Sequence, residues 1–243
     1  MNWSDDGIVL GGRRFGEGGL ILDVLTATRG RRSGLVYGGA SRKRRGQYDA
    51  GNTVALAWSG RLDDQLGRFD VAEARRERAS RLLDDAAALS GVAAITALLR
   101  AGLNEGDAAG SSLYAATTLL LDELGNPHIW PALYVRWELG LLSALGFGLD
   151  LEECALSGAN DGLTHVSPKT GRAVRGSEAE AYIDRLLALP DFLLRSNAAV
   201  QPGDIAAGLR LTGHFLENRL FAAVHRGVPL ERERLVVRLL SKV

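Results

Sequence analysis

Apolar and polar positions alternate over short stretches in the first third of the chain. Residues 53–58 place Val54, Leu56 and Trp58 at every second position, which is the period of a β-strand. Short apolar runs separated by glycine-containing turns also predict strands at residues 7–10, 20–26, 35–37 and 69–74. These closely spaced strands predict a small barrel or sandwich, and an SH3-like barrel would produce a similar pattern.

Helical spacing replaces strand alternation from about residue 80 onward. Residues 111–124 open on serines that can cap a helix and end at Gly125-Asn126-Pro127, a combination that stops one. In the last of the predicted helices, Ile205, Leu209 and Leu216 line one stripe. By these criteria helices are predicted over residues 80–103, 111–124, 131–145 and 204–226.

Residues 154–175 lie between two of the predicted helices and contain many turn-forming residues but little periodicity. We therefore expect an α+β protein of two domains. A five-stranded barrel over residues 1–79 is followed by a helical domain over residues 80–243, which holds an irregular insert at residues 152–176.

Charge is distributed unevenly along the chain, although the formal net charge is zero. Residues 1–80 carry 14 Lys and Arg against 10 Asp and Glu, whereas the remainder carries 15 against 19. The densest cationic segment is Arg42-Lys43-Arg44-Arg45, which follows Gly38-Gly39 and has no acidic residue beside it. A solvated loop is one interpretation of this run. A glycine-rich loop with cations and nearby tyrosines also suits a phosphate backbone whose bases stack on aromatic rings.

The candidate nucleic-acid ligands are the cations and one aromatic residue of the predicted barrel: Arg13, Arg14, Arg29, Arg31, Arg32, Arg42, Lys43, Arg44, Arg45 and Tyr37. Trp58 is a second aromatic residue with a suitable ring. Strand aromatics also fill barrel cores, so a core position is the alternative for Tyr37 and Trp58. A solvated surface is the alternative for each cation.

The sequence contains no recognisable catalytic or metal-binding pattern. The four histidines are scattered, and neither a His-Glu-x-x-His motif nor a phosphate-binding Gly-x-x-x-x-Gly-Lys-Ser motif occurs. Cys154 is the only cysteine, which excludes an intrachain disulfide and a thiolate-rich zinc site. We therefore expect a protein that is not an enzyme and that holds no metal or other cofactor.

The start of the chain is acidic and lacks an apolar run of the kind found in secretion signals. No segment approaches the roughly 20 apolar residues that span a bilayer. A single cysteine is also compatible with a reducing compartment. We therefore expect a cytoplasmic protein without membrane association.

Four segments, in this order, resemble the bacterial RecO family of recombination mediators and DNA repair proteins. They are residues 18–26, residues 38–44, residues 136–148, and Cys154 followed by residues 166–171. The resemblance covers almost the whole chain and implies that the barrel is an OB-fold followed by an all-helical domain. Some members hold a four-cysteine zinc site in the helical half. Because Cys154 alone remains here, we expect a degenerate zinc-finger-like insert that folds by packing without metal.

The resemblance also implies a function in DNA repair and recombination after DNA damage. Such proteins bind single- and double-stranded DNA, anneal complementary strands and engage the C-terminal tail of single-stranded DNA-binding protein. Together with RecR they help RecA to displace that protein, which implies a nucleoid-associated location. Annealing needs no covalent chemistry, because neutralising two phosphate backbones lets the bases find their partners. The alternative from another class is a non-catalytic adaptor whose barrel binds RNA or a protein.

Arg136 stands in a long acidic stretch and lies beside Trp137. A guanidinium next to apolar rings can receive the carboxylate end of an acidic, apolar peptide. Arg136 and Trp137 are therefore the candidate residues for binding the tail of single-stranded DNA-binding protein. A structural salt bridge from Arg136 to one of three acids is the alternative, and these acids are Asp122, Glu123 and Glu138.

Overall fold

A computed structural model describes residues 1–62 and 65–241 of the chain. Its internal contacts divide the protein into two compact units. One unit consists of Met1–Asn126 and the C-terminal helix, and the other consists of Pro127–Val228. The domain boundary that we predicted at residue 79 stays a prediction.

Five strands build the first unit, and they form a closed barrel in the order β1-β2-β3-β5-β4. They are β1 (Asn2–Phe15), β2 (Gly19–Thr26), β3 (Gly30–Val36), β4 (Thr53–Ser59) and β5 (Gly67–Arg76). β1 pairs antiparallel with both β2 and β4, and a short parallel pairing of β3 with β5 completes the ring. This order is that of an OB-fold, so the predicted barrel is confirmed.

β1 is longer than the strand predicted at residues 7–10 because it bends. A register shift between Val9 and Gly11 marks a β-bulge. The bulge lets the first half of β1 pair with β4 and the second half with β2. Apolar residues are confined to the middle of β1, so the sequence pattern predicted only that part of the strand.

The barrel core is filled by every second side chain of the strands. Two glycines make room for its largest rings, because a Cβ atom on Gly34 would lie 2.4 Å from the ring of Phe69 and one on Gly67 would lie 2.2 Å from the ring of Trp58. Trp58 is 2 % exposed and stacks on Trp3, with 5.6 Å between the ring centroids. Trp58 is therefore a core residue and not a platform for bases.

Helices follow the barrel, and the predicted α+β class is confirmed. In chain order the α-helices are α1 (Ala86–Gly102), α2 (Ala109–Glu123), α3 (Trp130–Ala144), α4 (Gly176–Ala179), α5 (Asp191–Leu194), α6 (Asp204–Phe215) and α7 (Leu230–Leu240). A π-helical segment, Leu216–Phe221, continues α6. None of the helices in the described part of the chain is long and apolar enough to cross a membrane.

α1 begins later than the sequence predicted because Asp85 caps it. The Asp85 carboxylate accepts hydrogen bonds from the amides of Ala87 and Ala88 at 2.9 and 3.0 Å. The residues before it, Ala79–Arg81, form a short 3-10 turn. α7 packs along α1, which returns the end of the described chain to the barrel unit.

In the second unit, α3 packs against α6. The buried carboxylate of Glu138 on α3 accepts a hydrogen bond from the hydroxyl of Thr212 on α6. The predicted insert contains β6 (Leu163–Val166) and β7 (Ala173–Arg175), which pair antiparallel, and β8 (Leu187–Ala188) adds to the other edge of β6. The insert is therefore built on a small antiparallel sheet.

Candidate nucleic-acid interface

The β1–β2 hairpin and the loop that follows β3 meet at one end of the barrel, which we call the open end. The amide of Ala40 donates a hydrogen bond to the carbonyl of Gly18 at 3.3 Å. Gly39 allows this approach, because a Cβ atom there would lie 2.9 Å from the Cβ of Leu20. The loop then runs through the basic segment into a short 3-10 helix, Arg45–Tyr48. Cations from the hairpin and from the loop are thus brought to the same end of the barrel.

A groove lies at the open end, between the hairpin and the loop. Half of its described lining residues are glycine or alanine, including Gly11 and Gly12. Among the described residues that line it, Arg14 and Arg45 are cations and Asp49 is an acid. Cations beside a glycine floor suit a phosphate group, because the protein backbone can approach the ligand closely.

Tyr48 also lines this groove, and its side chain is 6 % exposed. Within residues 1–62 and 65–241, the structure shows no hydrogen-bond partner for its hydroxyl oxygen. Burial raises the pKa of Tyr48, and the nearby charge of Arg44 opposes that shift. A buried hydroxyl without a partner costs about 1–3 kcal/mol of stability. Tyr48 was not among the predicted site residues.

The structure separates the predicted cations into two groups. Those on the hairpin and on the basic run are exposed at the open end: Arg13, Arg14, Arg42, Lys43, Arg44 and Arg45. The others, Arg29, Arg31 and Arg32, lie at the opposite end of β2 and β3. DNA contact by either group stays a prediction, but only the first group lies at the end of the barrel that carries the groove.

The Arg31 side chain is held by hydrogen bonds within the protein. Its Nε and Nη2 atoms donate to the two carboxylate oxygens of Asp23 at 3.1 and 2.9 Å. Its Nη1 atom donates to the backbone carbonyls of Arg100 and Leu103 at 3.0 and 2.8 Å. The Arg100 side chain also donates to Asp23, at 3.2 Å. Arg31 therefore ties the end of α1 to the outer face of β2 and β3.

Further contacts cover the same half of the outer face. The amide of Ser33 donates to the Glu105 carboxylate at 2.7 Å. α2 approaches so closely that a Cβ atom on Gly110 would lie 2.7 Å from the Cα of Gly30. Nearby, the guanidinium of Arg29 lies 5.3 Å from the ring centroid of Trp3. The barrel's outer face is therefore occupied by the protein itself at this end, and access is left to the open end.

Aromatic and cationic side chains are exposed on the outer face at the open end. Phe15 and Tyr37 are 50 % and 66 % exposed. Arg68 on β5 forms a 2.6 Å ion pair with Asp70, which raises the pKa of Arg68, and the phenol of Tyr37 adds a smaller effect in the same direction. Tyr37 was predicted as a ligand, whereas Phe15 and Arg68 were missed. The position of Phe15 directly after Arg13-Arg14 is a signal that could have identified it.

Arg136 and Trp137, the predicted tail-binding residues, lie on α3. The Nε atom of Arg136 donates to the carbonyl of Phe192 at 3.0 Å, and its Nη2 atom donates to the carbonyl of Arg195 at 3.1 Å. The Arg136 guanidinium also lies 5.8 Å from the ring centroid of Phe192. Trp137 is buried. Arg136 therefore satisfies backbone carbonyls at the end of α5, and tail binding by these two residues stays a prediction.

Cys154 is buried and directly precedes a turn at residues 155–157. The amides of Leu156 and Arg175 donate to its Sγ atom at 3.5 and 3.3 Å, and Oε2 of Glu178 lies 3.0 Å from the same atom. Burial acts to raise the pKa of the Cys154 thiol, but the donating amides outweigh burial and lower the pKa. The hydrogen bond from Cys154 also lowers the pKa of Glu178.

The residues around Cys154 do not fit a zinc ion. A structural zinc site uses four side chains, mostly thiolates and imidazoles. In the part of the chain that the structure describes, no three His, Cys, Asp or Glu side chains are placed to hold a metal ion. Arg175 instead brings a cation to the turn and pairs with Asp161 at 2.8 Å. The Cys154 thiol is thus surrounded by hydrogen-bonding groups and not by further zinc ligands.

A closed OB barrel with exposed cations and aromatic rings at one end is characteristic of proteins that bind nucleic acids through their backbones and bases. Comparison with known proteins identifies the family. The family model described as "Recombination protein O N terminal" matches residues 1–78, and "Recombination protein O C terminal" matches residues 83–226.

Full-length relatives agree with the family models. The chain is 80 % identical over 239 residues to DNA repair protein RecO of Hyphomonas neptunium, and the match covers 98 % of each chain. It is 46 % identical over 245 residues to the protein of the same name from Methylorubrum extorquens, covering 97 % of each chain. For the Caulobacter vibrioides protein the identity is 43 % over 239 residues, covering 98 % of each chain. The chain therefore belongs to the RecO family of DNA repair proteins, and the predicted resemblance is confirmed.

Proposed function

We propose that this protein is a recombination mediator that binds single- and double-stranded DNA and anneals complementary strands. Together with RecR, it helps to load RecA on DNA coated by single-stranded DNA-binding protein. The observation that carries this proposal is the grouping of exposed cations at the open end, where Arg13 and Arg14 share the surface with the run Arg42–Arg45. The names of the relatives support the role in DNA repair. Nothing in this mechanism requires an enzyme.

DNA binding rests on neutralisation of phosphates in this proposal. The groove offers one phosphate the guanidinium groups of Arg14 and Arg45. The remaining cations of the basic run extend the positive surface along the backbone. Contacts to phosphate carry no sequence information, so single and double strands of any sequence are bound.

Annealing follows when this surface holds two strands at once. Two phosphate backbones repel each other, and exposed arginines between them lower that repulsion. Because the contacts are independent of sequence, the strands can shift along the protein until complementary bases meet. No bond is made or broken in the protein during this process.

Protein partners enter the proposal through family membership. They are the C-terminal tail of single-stranded DNA-binding protein, RecR and, indirectly, RecA, which together imply action at the nucleoid. Arg136 and Trp137 remain the proposed tail-binding residues. Because Trp137 is buried and Arg136 is half-buried against backbone carbonyls, the tail would meet the solvent-facing part of the Arg136 guanidinium.

The same proposal assigns no metal or other cofactor to the protein. The donors around Cys154 are backbone amides and the Glu178 carboxylate, and this arrangement supports an insert that is held together by hydrogen bonds and packing. Metal removal would then leave DNA binding unchanged.

Fluorescence anisotropy with a labelled single-stranded oligonucleotide at a series of salt concentrations tests the proposed function. We expect the logarithm of affinity to fall with the logarithm of salt by about 0.7 for each phosphate contacted. A flat salt response would overturn the proposal. A protein-binding adaptor gives that flat response, and an RNA adaptor is recognised by preference for RNA over DNA of the same sequence. Annealing of two labelled complementary strands then tests the mediator activity itself.

A further inference from the structure

We propose that the outer face of the barrel at its open end is a base-stacking site for single-stranded DNA, formed by Phe15 and Tyr37 between Arg13 and Arg68. This inference rests on the proposed DNA binding and adds to it a physical reason for preferring single strands. The stacking site lies on the outside of the sheet, whereas the groove of Arg14 and Tyr48 lies at the barrel mouth.

Strand register places a cation at each end of one row across the sheet. Arg13 on β1 pairs with Ile21 on β2, Ile21 pairs with Leu35 on β3, and Leu35 pairs with Arg68 on β5. Directly paired residues point to the same face of a sheet. With strands about 4.8 Å apart, the row spans about 14 Å between its two arginines.

The two aromatic residues lie one step closer to the open end. Phe15 pairs with Gly19. Tyr37 directly follows Val36, the last residue of β3 and the partner of Leu20, and begins the turn that leaves the sheet. Gly19 has no side chain, and a Cβ atom there would lie 2.5 Å from the Phe15 carbonyl oxygen. The surface between Phe15 and Tyr37 is therefore left unfilled by β2.

This face is exposed at Phe15 and Tyr37, whereas Ile21 in the row is only 6 % exposed and Leu35 is partly buried. The residues that directly follow the three row members on β2, β3 and β5 are core residues: Leu22, Val36 and Phe69. Successive residues of a strand point to opposite faces, so the row lies on the outer face. Accordingly Phe15 and Tyr37 are half or more exposed, at 50 % and 66 %. The other half of the same face is closed by α1 and α2, so a strand can reach only this end.

The chemistry of the patch matches an unpaired strand. Exposed aromatic rings stack on bases, and each such contact contributes about 1–3 kcal/mol. Arg13 and Arg68 are placed to meet the phosphates on either side. The ion pair of Arg68 with Asp70 is exposed and costs little to separate. In a duplex the bases are stacked inside the helix, so the two rings act on single strands alone.

The test compares Phe15→Ala, Tyr37→Ala and the double variant with the unaltered protein, using labelled single-stranded and duplex oligonucleotides of one sequence. We expect each substitution to weaken single-strand affinity by about 5- to 100-fold and to leave duplex affinity and thermal stability unchanged. Phe15→Tyr and Tyr37→Phe keep the rings and should keep the affinity. Tyr182→Ala is the matched control, because Tyr182 is 54 % exposed on a different element.

A strand carrying abasic sites separates stacking from phosphate contact. The unaltered protein should bind the abasic strand as weakly as the double variant binds the normal strand. Equal single-strand affinity of the double variant and the unaltered protein would overturn the stacking site while leaving the proposed function intact. An equal loss for single strands and duplexes would overturn it as well. Failure of the unaltered protein to bind any DNA would instead refute the proposed function.

Discussion

Arg31 and Asp23 are joined by two hydrogen bonds, 3.1 and 2.9 Å long, on the outer face of the barrel. The Asp23 residue is 8 % exposed, so the guanidinium compensates a carboxylate that is largely removed from water. One of the predicted DNA ligands is thereby used to hold the first helix on the barrel. Arg13, on the same face of the sheet, is exposed instead.

Replacing Arg31 by alanine should therefore affect stability, whereas replacing Arg13 by alanine should affect DNA binding. Arg31→Ala leaves Asp23 with fewer donors and should lower the free energy of unfolding by about 2 kcal/mol. Arg13→Ala should leave that free energy unchanged and weaken DNA binding. Urea unfolding and anisotropy on both variants make the comparison, and equal stability of the two would contradict the structural role of Arg31.

Removing the basic run should change the salt dependence of DNA binding. Changing Arg42, Lys43, Arg44 and Arg45 together to serine should reduce the log-log salt slope for single strands by up to about 3, since each lost phosphate contact contributes about 0.7. Strand annealing should slow in parallel. A control with the same loss of charge changes four exposed arginines outside the barrel: Arg210, Arg226, Arg234 and Arg238. Annealing at the original rate after loss of the run would remove that loop from the mechanism.

Tyr48→Phe should stabilise the protein and leave DNA binding unchanged. The substitution removes a buried hydroxyl that has no partner in the described structure, which should raise the free energy of unfolding by about 1 kcal/mol. Because the hydroxyl oxygen is buried, DNA in the groove does not reach it, and affinity for single strands and duplexes should stay unchanged. A loss of stability would show that the hydroxyl already has a partner within the protein.

Asp122 on α2 should matter for stability at neutral pH and lose its effect in acid. Burial acts to raise the pKa of Asp122, but hydrogen bonds from Arg78 and Arg76 outweigh it and hold the pKa below its ordinary value of 3.8. A carboxyl whose pKa is lower in the folded state contributes its full stability above the unfolded-state pKa. That contribution is lost as the pH falls through the folded-state pKa.

Asp122→Asn should accordingly destabilise the protein by about 2 kcal/mol at pH 7. The difference from the unaltered protein should stay constant down to the ordinary carboxyl pKa of 3.8 and shrink below it. Chemical unfolding of both proteins across this pH range measures the difference. If the difference in unfolding free energy already disappears between neutral and mildly acidic pH, the effect belongs to another titrating group.

Introducing three cysteines around Cys154 should create a zinc site. Ser157, Arg175 and Glu178 stand at the positions that complete two Cys-x-x-Cys pairs. The variant with cysteine at all three should bind one zinc ion and should melt at lower temperature after chelation. The unaltered protein should contain no zinc and ignore the chelator. Isolation of the unaltered protein with one zinc per chain would contradict this account.

The strands were predictable from sequence wherever one face of a strand is buried and the other is exposed. Residues 53–58 show that pattern and lie within β4, whereas residues 20–26 were predicted from a continuous apolar run and lie within β2, where residues 21–26 are all buried. The full length of β1 was not predictable, because pairing with two different strands depends on the bulge near Gly11. Likewise, the sheet in the insert depends on pairing between segments that show no period of their own.

By itself, the sequence determined the family, the α+β class, the barrel strands and the presence of a basic segment. These properties follow from local composition and from the spacing of apolar residues, which neighbouring positions encode. Only the tertiary structure decided which cations are available to a ligand. Arg31 is not available to a ligand, because it donates hydrogen bonds to backbone carbonyls 69 and 72 positions further along the chain. Phe15 and Arg68 share a face of the sheet only because their strands are joined by strand pairing. Residues so distant in sequence come into contact only when the barrel closes, so these contacts cannot be predicted from local sequence patterns.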